Sequence, residues 1–269
     1  MIDLNLLTKI AIDGSFAAGK EILIVYKSAD FGITTKSDNS TLTLADKKAH
    51  TAIVEILNKT NLPVLSEEGA DIPYEIRKNW EYFWLVDPLD GTKEFINRNG
   101  EFTVNIALVH KETPILGVIY VPVTKDLYFG NKEIGAFKAI NVDEGLQFEN
   151  LETLLQMSFR LPFFIDDEII TIVASKSHLT QETIDYIDEL KKIHPNIEFI
   201  SKGSSLKLCM LAEGLASIYP RFGPTMEWDI AAGHAIASAA GCNVTLKDEK
   251  TPLVYNKEEL LNPWFIAKR

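Results

Sequence analysis

The stretch WLVDPLDGTKEF, residues 84–95, carries the strongest structural signal in the chain. It opens with an aromatic and β-branched run that predicts a buried strand ending at Asp87. Pro88 restricts Asp87 to an extended backbone, and Gly91 permits a tight turn. A helix is predicted to begin at Thr92. The stretch therefore predicts a strand, a sharp turn and a helix in immediate succession.

This geometry would aim the carboxylates of Asp87 and Asp90 and the carbonyl of Leu89 at one point. Carboxylate and carbonyl oxygens are the ligands that hard cations such as Mg²⁺ prefer. The amides of Gly91 and Thr92 would lie at a helix N-terminus, where a phosphate is favoured. From these residues alone, a plain strand-to-turn with helix-capping aspartates stays open, because Asp-Pro and Asp-Gly are common turn pairs.

Four other acidic residues are candidates for the same site. Glu67 and Glu68 stand together at the end of a short apolar strand, although adjacent glutamates are usually solvated charge. Asp46 lies on a predicted amphipathic helix. Asp229 follows Trp228 at the start of an apolar helix, where it could return a carboxylate to the site or only complement the helix dipole. None of these residues establishes a site alone.

A second group of residues is typical of an anion-binding pocket. Gly203, Ser204 and Ser205 precede a predicted helix and offer amides and hydroxyls, to which Lys207 adds a positive charge. An ordinary helix cap is the alternative. Arg221 could reach a second phosphate of the substrate or form a surface salt bridge.

Four further side chains have simpler interpretations. Glu213 would touch a ribose or only be solvated. His234 lies on an apolar helix and is expected to be a core histidine. Cys209 and Cys242 have apolar helical surroundings, so we expect buried free thiols and a reducing cytosol.

Composition restricts the class of partner. The formal net charge over 269 residues is −11, whereas binding to a nucleic-acid backbone requires a basic face. A small phosphorylated substrate stays compatible if cations bridge it to the protein. No uncharged apolar stretch reaches the roughly 18 residues of a membrane span, and no secretory signal is recognised.

Hydrophobic periodicity divides the chain into two parts. The first part reads as α+β, with two amphipathic helices followed by strands at YFWLVD, FTVNIALVH and ILGVIYVP and a hairpin near 126–138. From IITIVAS onward, strands and helices alternate, which indicates an α/β layer with helices on both faces. We place an α+β subdomain carrying most metal ligands at 1–155. An α/β subdomain at 156–269 would supply Asp229 and the anion-binding residues near 203–207.

Several of these segments together resemble the inositol monophosphatase superfamily of metal-dependent phosphatases. The signature is Glu67-Glu68, then Asp87-Pro88-Leu89-Asp90-Gly91-Thr92, then Trp228-Asp229. The resemblance runs over nearly the whole chain, and Met226-Glu227 before Trp228 departs from it. Within the superfamily, the bacterial 3'(2'),5'-bisphosphate nucleotidases are most similar. That likeness is carried by VLSEEG, WLVDPLDGTKEFINRNGEFTVNIALV, GSSLKLCMLAEG and YPRFGPTMEWDIAAGHAIA.

The resemblance implies an α/β fold built as a layered α-β-α-β-α sandwich of the inositol monophosphatase and fructose-1,6-bisphosphatase type. It also implies at least two Mg²⁺ ions. Glu67, Asp87 and the Leu89 carbonyl would hold one ion, and Asp87, Asp90 and Asp229 would hold the second.

The resemblance also assigns catalytic roles. Thr92, with Glu67, would orient and deprotonate the attacking water. Asp46 would support a third, weaker metal site or orient water at the metals. The residues expected to contact substrate are Leu89, Asp90, Gly91, Thr92, Gly203, Ser204, Ser205, Lys207, Arg221 and Asp229.

The expected reaction is hydrolysis of the 3'-phosphate of adenosine 3',5'-bisphosphate to AMP, and also of its sulfated form, in sulfur assimilation. An inositol-1-phosphatase or sugar bisphosphatase is the alternative within the superfamily, and lithium would inhibit the enzyme. A catalytically silent metal or nucleotide sensor is the alternative of another class. We expect a monomer or homodimer with no polynucleotide partner, in the cytoplasm or peripheral on the inner face of the membrane.

Overall fold

The computed structural model describes residues 2–35, 41–69, 72–145, 150–165, 168–174, 180–194 and 196–269. In these ranges, no helix combines the length and the apolar character needed to cross a bilayer.

A seven-stranded sheet forms the first half of the molecule. Its strands run in the order β3-β4-β5-β6-β7-β8-β9, and only the β3–β4 pair is parallel among the described neighbours. The strand bounds are β3 Val64–Ser66, β4 Tyr82–Asp90, β5 Thr103–His110, β6 Thr113–Val121, β7 Asp126–Asn131, β8 Gly135–Ala139 and β9 Phe159–Leu161.

Two long helices cover the outer face of this sheet. Helix α1 spans Leu4–Tyr26, and Asp3 caps it by accepting hydrogen bonds from the Asn5 and Leu6 amides. Helix α2 spans Leu44–Leu57. The helical spacing predicted near the N-terminus is confirmed, because Leu4, Leu7, Ala11, Gly14, Ala18, Ile22 and Val25 are all buried.

A five-stranded sheet forms the second half, in the order β11-β10-β12-β14-β13. Its bounds are β10 Ile170–Ala174, β11 Ile197–Ser201, β12 Ile218–Arg221, β13 Asn243–Leu246 and β14 Phe265–Lys268. Helix α6, Gln181–Ile193, packs on its outer face. Helices α7, Leu206–Glu213, and α8, Glu227–Ala239, lie between the two sheets.

Alternation along the central strands explains the layering. In β4, Trp84 and Val86 pack toward α1 and α2, whereas Phe83 and Leu85 pack toward α7 and α8. A strand that is apolar on both faces must be covered on both faces. The result is an α-β-α-β-α sandwich, which confirms the predicted fold class.

Short elements complete the described chain. They are β1 Thr34–Thr35, β2 Thr41–Leu42, a 3₁₀ turn at Asn58–Thr60, α3 Tyr74–Arg77, α4 Thr92–Ile96 and α5 Leu151–Gln156.

The structure differs from the sequence-based expectation at three places. Strand β4 continues to Asp90 instead of ending at Asp87. Strand β14 near the C-terminus was not predicted. Strand β9 pairs with β8 in the first sheet, although it lies beyond residue 155. The division into subdomains 1–155 and 156–269 stays a prediction.

Candidate active site

A bulge in β4 brings two aspartates to one side of the sheet. Residues three apart in a regular strand point to opposite faces. In β4, Asp87 pairs with Asn105 and Asp90 pairs with Thr103, so the register shifts by one residue between the two aspartates. The Leu89 amide donates to Asp87 Oδ1 at 3.0 Å. Gly91, at φ 92°, then turns the chain into α4, as predicted.

Three carboxylates converge at the end of this strand. Oxygens of Glu67, Asp87 and Asp229 all lie within 4.8 Å of one another. The Glu67 amide donates to the Val86 carbonyl at 3.1 Å, which extends the parallel pairing of β3 with β4 and brings Glu67 beside Asp87. The first turn of α8 supplies Asp229, whose Oδ2 accepts from the Met226 amide at 2.9 Å. The capping role and the site role of Asp229 are therefore compatible.

The acidic cluster is electrostatically unfavourable on its own. Burial raises the pKa of Asp87 well above its ordinary value, and Glu67, Asp90 and Asp229 raise it further. Burial, followed by the charge of Asp90, likewise raises the pKa of Asp229 well above its ordinary value. Buried like charges are tolerated when a cation lies between them. The oxygen donor set and its repulsion fit a hard divalent cation, so this cluster is able to bind a metal.

Asp90 lies beside this triad and faces a second loop. Its Oδ2 accepts from the Ser204 hydroxyl at 2.5 Å and from the Ser205 amide at 2.6 Å. The Asn105 side-chain amide donates to the same oxygen at 3.4 Å. Asp90 therefore joins the end of β4 to the loop that precedes α7.

Thr92 and Asp46 form a pair behind the acidic cluster. The Thr92 hydroxyl lies 3.5 Å from Asp46 Oδ1 and 3.5 Å from the Leu89 carbonyl. Asp46 Oδ2 accepts from the amide and the hydroxyl of Thr43, in a capping box that begins α2. Burial raises the pKa of Asp46, although its bonds with Thr43 oppose this. Asp46 is thus oriented toward Thr92.

A cavity of about 520 Å³ joins these groups to the predicted nucleotide loop. Asp46, predicted to act in catalysis, is missing from its described lining, and so is the candidate Glu68. Predicted site residues that line the cavity are Glu67, Asp87, Leu89, Asp90, Gly91, Thr92, Gly203, Ser204, Ser205, Lys207, Arg221 and Asp229.

The loop 203–205 uses part of its donor capacity on carboxylates of the protein. The Gly203 amide donates to Glu101 Oε2 at 3.0 Å, and the Ser205 amide donates to Asp90. Positive charge on this side of the cavity comes from Lys207 and from Arg221, whose Nη2 donates to the Pro224 carbonyl at 2.8 Å. The cavity lining therefore includes an acidic group and a basic group, which we call the acidic wall (Glu67, Asp87, Asp90 and Asp229) and the basic wall (Lys207 and Arg221).

Two side chains considered from the sequence lie outside the cavity lining described. Glu213 is wrong as a ribose contact, because it is buried against Lys138 Nζ at 2.6 Å and the Tyr128 hydroxyl at 3.0 Å. Residues 206–213 are helical, which carries Glu213 away from the loop before the helix. His234 is confirmed as a core histidine. Its Nδ1 lies 2.9 Å from the Tyr255 hydroxyl, and burial lowers its pKa to about 4.

Sequence reasoning missed several residues near the site. The Glu101 carboxylate accepts hydrogen bonds from the Gly203 amide and from Lys202 Nζ. The side chains of Thr103 and Asn105 form hydrogen bonds with the Ser205 hydroxyl. The only available signal was a pair of polar residues in the otherwise apolar strand FTVNIALVH. The two cysteines are buried free thiols, as expected.

Comparisons with known proteins agree with this geometry. The sequence profile of the inositol monophosphatase family matches residues 3–267. The chain is 44% identical over 257 residues to the 3'(2'),5'-bisphosphate nucleotidase CysQ of Salmonella typhimurium, covering 92% of this chain and 94% of the relative. It is 35% identical to CysQ of Haemophilus influenzae, covering 94% and 88% of the two chains.

Solved structures give the same result. The crystal structure of CysQ from Bacteroides thetaiotaomicron superposes with a TM-score of 0.91 at 53% identity, covering 98% of this chain and 97% of that chain. The suhB protein of Bartonella henselae superposes with a TM-score of 0.74 at 24% identity, which shows the shared fold alone. On the family profile, these relatives and the fold, the chain belongs to the inositol monophosphatase family.

Proposed function

We propose that this chain is a Mg²⁺-dependent 3'(2'),5'-bisphosphate nucleotidase. It would hydrolyse the 3'-phosphate of adenosine 3',5'-bisphosphate to give AMP and inorganic phosphate. Relatives that carry this activity in their names cover nearly the whole chain at 44% identity. The observation that carries the proposal is one cavity lined both by the Glu67, Asp87 and Asp229 cluster and by Lys207 and Arg221.

The metal would be held by the acidic wall. Glu67, Asp87 and the Leu89 carbonyl form one candidate ligand set, and Asp87, Asp90 and Asp229 form the other. When bound, divalent cations would supply Lewis-acid stabilisation of the phosphoryl oxygens and the leaving oxygen. Without metal, the same carboxylates would repel an anionic substrate, so activity should require the cation.

Side chains of the protein would orient the attacking water and accept its proton. The Thr92 hydroxyl can donate a hydrogen bond to Asp46 Oδ1. Its oxygen lone pairs then stay free to accept a hydrogen bond from that water. Glu67 is the second acceptor on this side of the cavity. As the water oxygen bonds to phosphorus, the bond from phosphorus to the 3'-oxygen would break, and the leaving 3'-oxygen would take a proton from solvent water. The amides of Gly91 and Thr92 would meet the growing charge on the phosphoryl oxygens.

The basic wall would bind the other phosphate of the nucleotide. Lys207 and Arg221 line the same cavity as the acidic cluster, so a substrate with two phosphates can meet both groups of side chains. An ester with a single phosphate would use only one wall. This arrangement favours a bisphosphorylated nucleotide, including the sulfated form used in sulfur assimilation.

Phosphate release by the purified protein tests the proposal. We expect release from adenosine 3',5'-bisphosphate with Mg²⁺, little with EDTA, and slower release from inositol-1-phosphate and fructose 1,6-bisphosphate. Strong preference for either of those esters would overturn the substrate assignment. No release from any of them would indicate a silent sensor.

Substitutions separate chemistry from folding. Asp90→Asn and Asp229→Asn should each lower kcat/KM by about 100-fold, as loss of a metal ligand or its support does. Asp188→Asn, in an exposed pair with Lys191 on α6, is the matched control and should behave as wild type. Near-native turnover in either active-site variant would contradict the ligand assignment.

The remaining expectations are proposals of the same kind. A cytoplasmic location would be tested by fractionation, and a monomer or homodimer by sedimentation. Inhibition by lithium can be measured in the phosphate-release assay.

A further inference from the structure

Two buried polar side chains lie behind the cavity, on the strand that pairs with β4. Thr103 is 0% exposed and Asn105 is 1% exposed, and both lie at the beginning of β5. They are two residues apart, so they share one face of the strand. Their cross-strand partners are Asp90 and Asp87, the two aspartates of the bulge.

The Thr103 hydroxyl joins three side chains. Its oxygen lies 2.7 Å from Ser204 Oγ, 2.8 Å from Ser205 Oγ and 3.0 Å from Asn105 Oδ1. The Thr103, Ser204 and Ser205 hydroxyls carry one proton each, so Thr103 Oγ1 does not accept from both serines while these donate to Asp90 and Asn105. With the serine protons directed to Asp90 and Asn105, Thr103 Oγ1 donates to one of its three neighbours.

Asn105 completes a closed network. Its Oδ1 accepts from the Ser205 hydroxyl at 2.8 Å, and its Nδ2 donates to Asp90 Oδ2 at 3.4 Å. The same Asp90 oxygen accepts from the Ser205 amide and the Ser204 hydroxyl. The loop is therefore held through its backbone and both hydroxyls. Buried networks of this kind rigidify the groups that they connect.

The loop needs such support, because Ser204 has a φ of +50°. Residues other than glycine rarely adopt this left-handed region, and surrounding contacts must stabilise it. The bonds from Ser204 Oγ to Asp90 and its contact with Thr103 are the ones that hold this side chain.

We propose that Thr103 and Asn105 are positioning residues, which fix the 203–205 loop against the Asp90 carboxylate and thereby set the affinity for the nucleotide. Neither residue is among the described residues that line the cavity, so both act through the loop. The proposal rests on the proposed function and on the expectation that the 203–205 loop contacts the nucleotide.

Thr103→Val is the decisive variant, since it replaces the hydroxyl with a methyl group of similar size. It should raise the KM for adenosine 3',5'-bisphosphate about 10-fold with little change in kcat, a typical effect of losing a supporting contact. The dissociation constant of AMP, measured calorimetrically with Mg²⁺, should rise by the same factor. AMP is the proposed product, so no turnover disturbs this second readout.

Two other variants separate positioning from general stability. Thr8→Val removes an equally buried hydroxyl, in α1, which donates to the Leu4 carbonyl. It should lower Tm without changing KM. Thr103→Ser keeps the hydroxyl and should restore most of the affinity. If Thr103→Val does not fold, Thr103→Ala removes the same hydroxyl without adding a methyl group in its place.

The outcomes are distinct. An unchanged KM and AMP affinity in a folded Thr103→Val or Thr103→Ala protein would overturn the positioning role while leaving the proposed function intact. The same result follows if Thr103→Ser binds AMP as weakly as Thr103→Val. Wild-type protein that neither binds AMP nor releases phosphate would reject the proposed function itself, and this inference with it.

Discussion

Among the single residues of the site, Lys207 carries a charge that is sensitive to pH. Its side chain is buried, and Nζ donates to the carbonyls of Ser204 and Lys202. Burial lowers the pKa of Lys207 to about 8; Asp90 opposes this shift and Arg221 adds to it. The ammonium is therefore charged below about pH 8 and loses its charge above it.

We expect the KM for the bisphosphate to rise as pH increases through about 8, because the neutral amine no longer attracts a phosphate. The phosphates have little effect on this profile, since their second pKa is about 6 and that ionisation is nearly complete by about pH 8. Initial-rate kinetics on both sides of pH 8 provide the measurement. Lys207→Met should raise KM at neutral pH and flatten the profile. A wild-type KM that stays constant through pH 8 would contradict the assignment.

Single residues also show what the sequence could predict about the site. Asp87, Asp90 and Gly91 lie close together in the sequence. A short stretch of sequence was therefore enough to predict the candidate metal ligands and the turn. Thr103 and Glu101 could not be found in this way. They act through contacts with residues about 100 positions away, which only the folded chain brings together.

At the scale of elements, helix α8 brings Asp229 to the site, and its start is fixed by a buried ion pair. Glu227 is 0% exposed and accepts from the amides of Asn256 and Lys257 at 2.7 and 3.0 Å. Lys257 Nζ donates to it at 2.5 Å. Burial raises the pKa of Glu227, and Lys257 acts against that rise. The Glu227 that departs from the family pattern thus anchors the helix to the segment near 256.

Lys257→Met should destabilise the protein by about 3 kcal/mol, because it leaves Glu227 buried without its partner cation. Urea unfolding measures the change. Lys192→Met is the matched control, since its pair with Glu189 is 66% and 69% exposed and should contribute within about 0.5 kcal/mol. Equal effects of the two substitutions would show that the buried pair does not anchor α8.

For the whole molecule, the central helical layer is shared by both sheets, so its distance from them is tightly set. Helix α8 lies close to strand β6 at Gly117, where an added Cβ would lie 2.1 Å from the Ala232 carbonyl oxygen. Backbone atoms cannot give way as a flexible side chain can. A larger residue at this position would push the layers apart.

Gly117→Ala should therefore destabilise the protein by roughly 3 kcal/mol, at the upper end of overpacking effects. Gly223→Ala provides the control, because the nearest atoms to its added Cβ lie at 3.8 and 3.9 Å. Thermal unfolding of the two variants measures the difference. A Gly117→Ala protein as stable as the control would show that α8 can move away from β6 at little cost.

As with the site, the sequence predicted the main elements of the architecture but missed some of its details. Apolar periodicity identified α1, α2, α6, α7 and α8, because each buries a continuous face. Strand β14 was missed because FIAK is short and lies beyond a loop without strand character. The pairing of β9 with β8 was missed for a related reason, since a three-residue edge strand has too few residues for alternation.

We propose that Glu67, which directly follows β3, and the acids of β4 and α8 bind divalent cations within one cavity. Anomalous diffraction from crystals grown with Mn²⁺, a hard cation with the same oxygen preference, tests it most directly. We predict a strong peak within coordination distance of Glu67, Asp87 and Asp229. An anomalous map that shows Mn²⁺ bound at full occupancy at other positions, and no peak among these three carboxylates, would contradict this assignment.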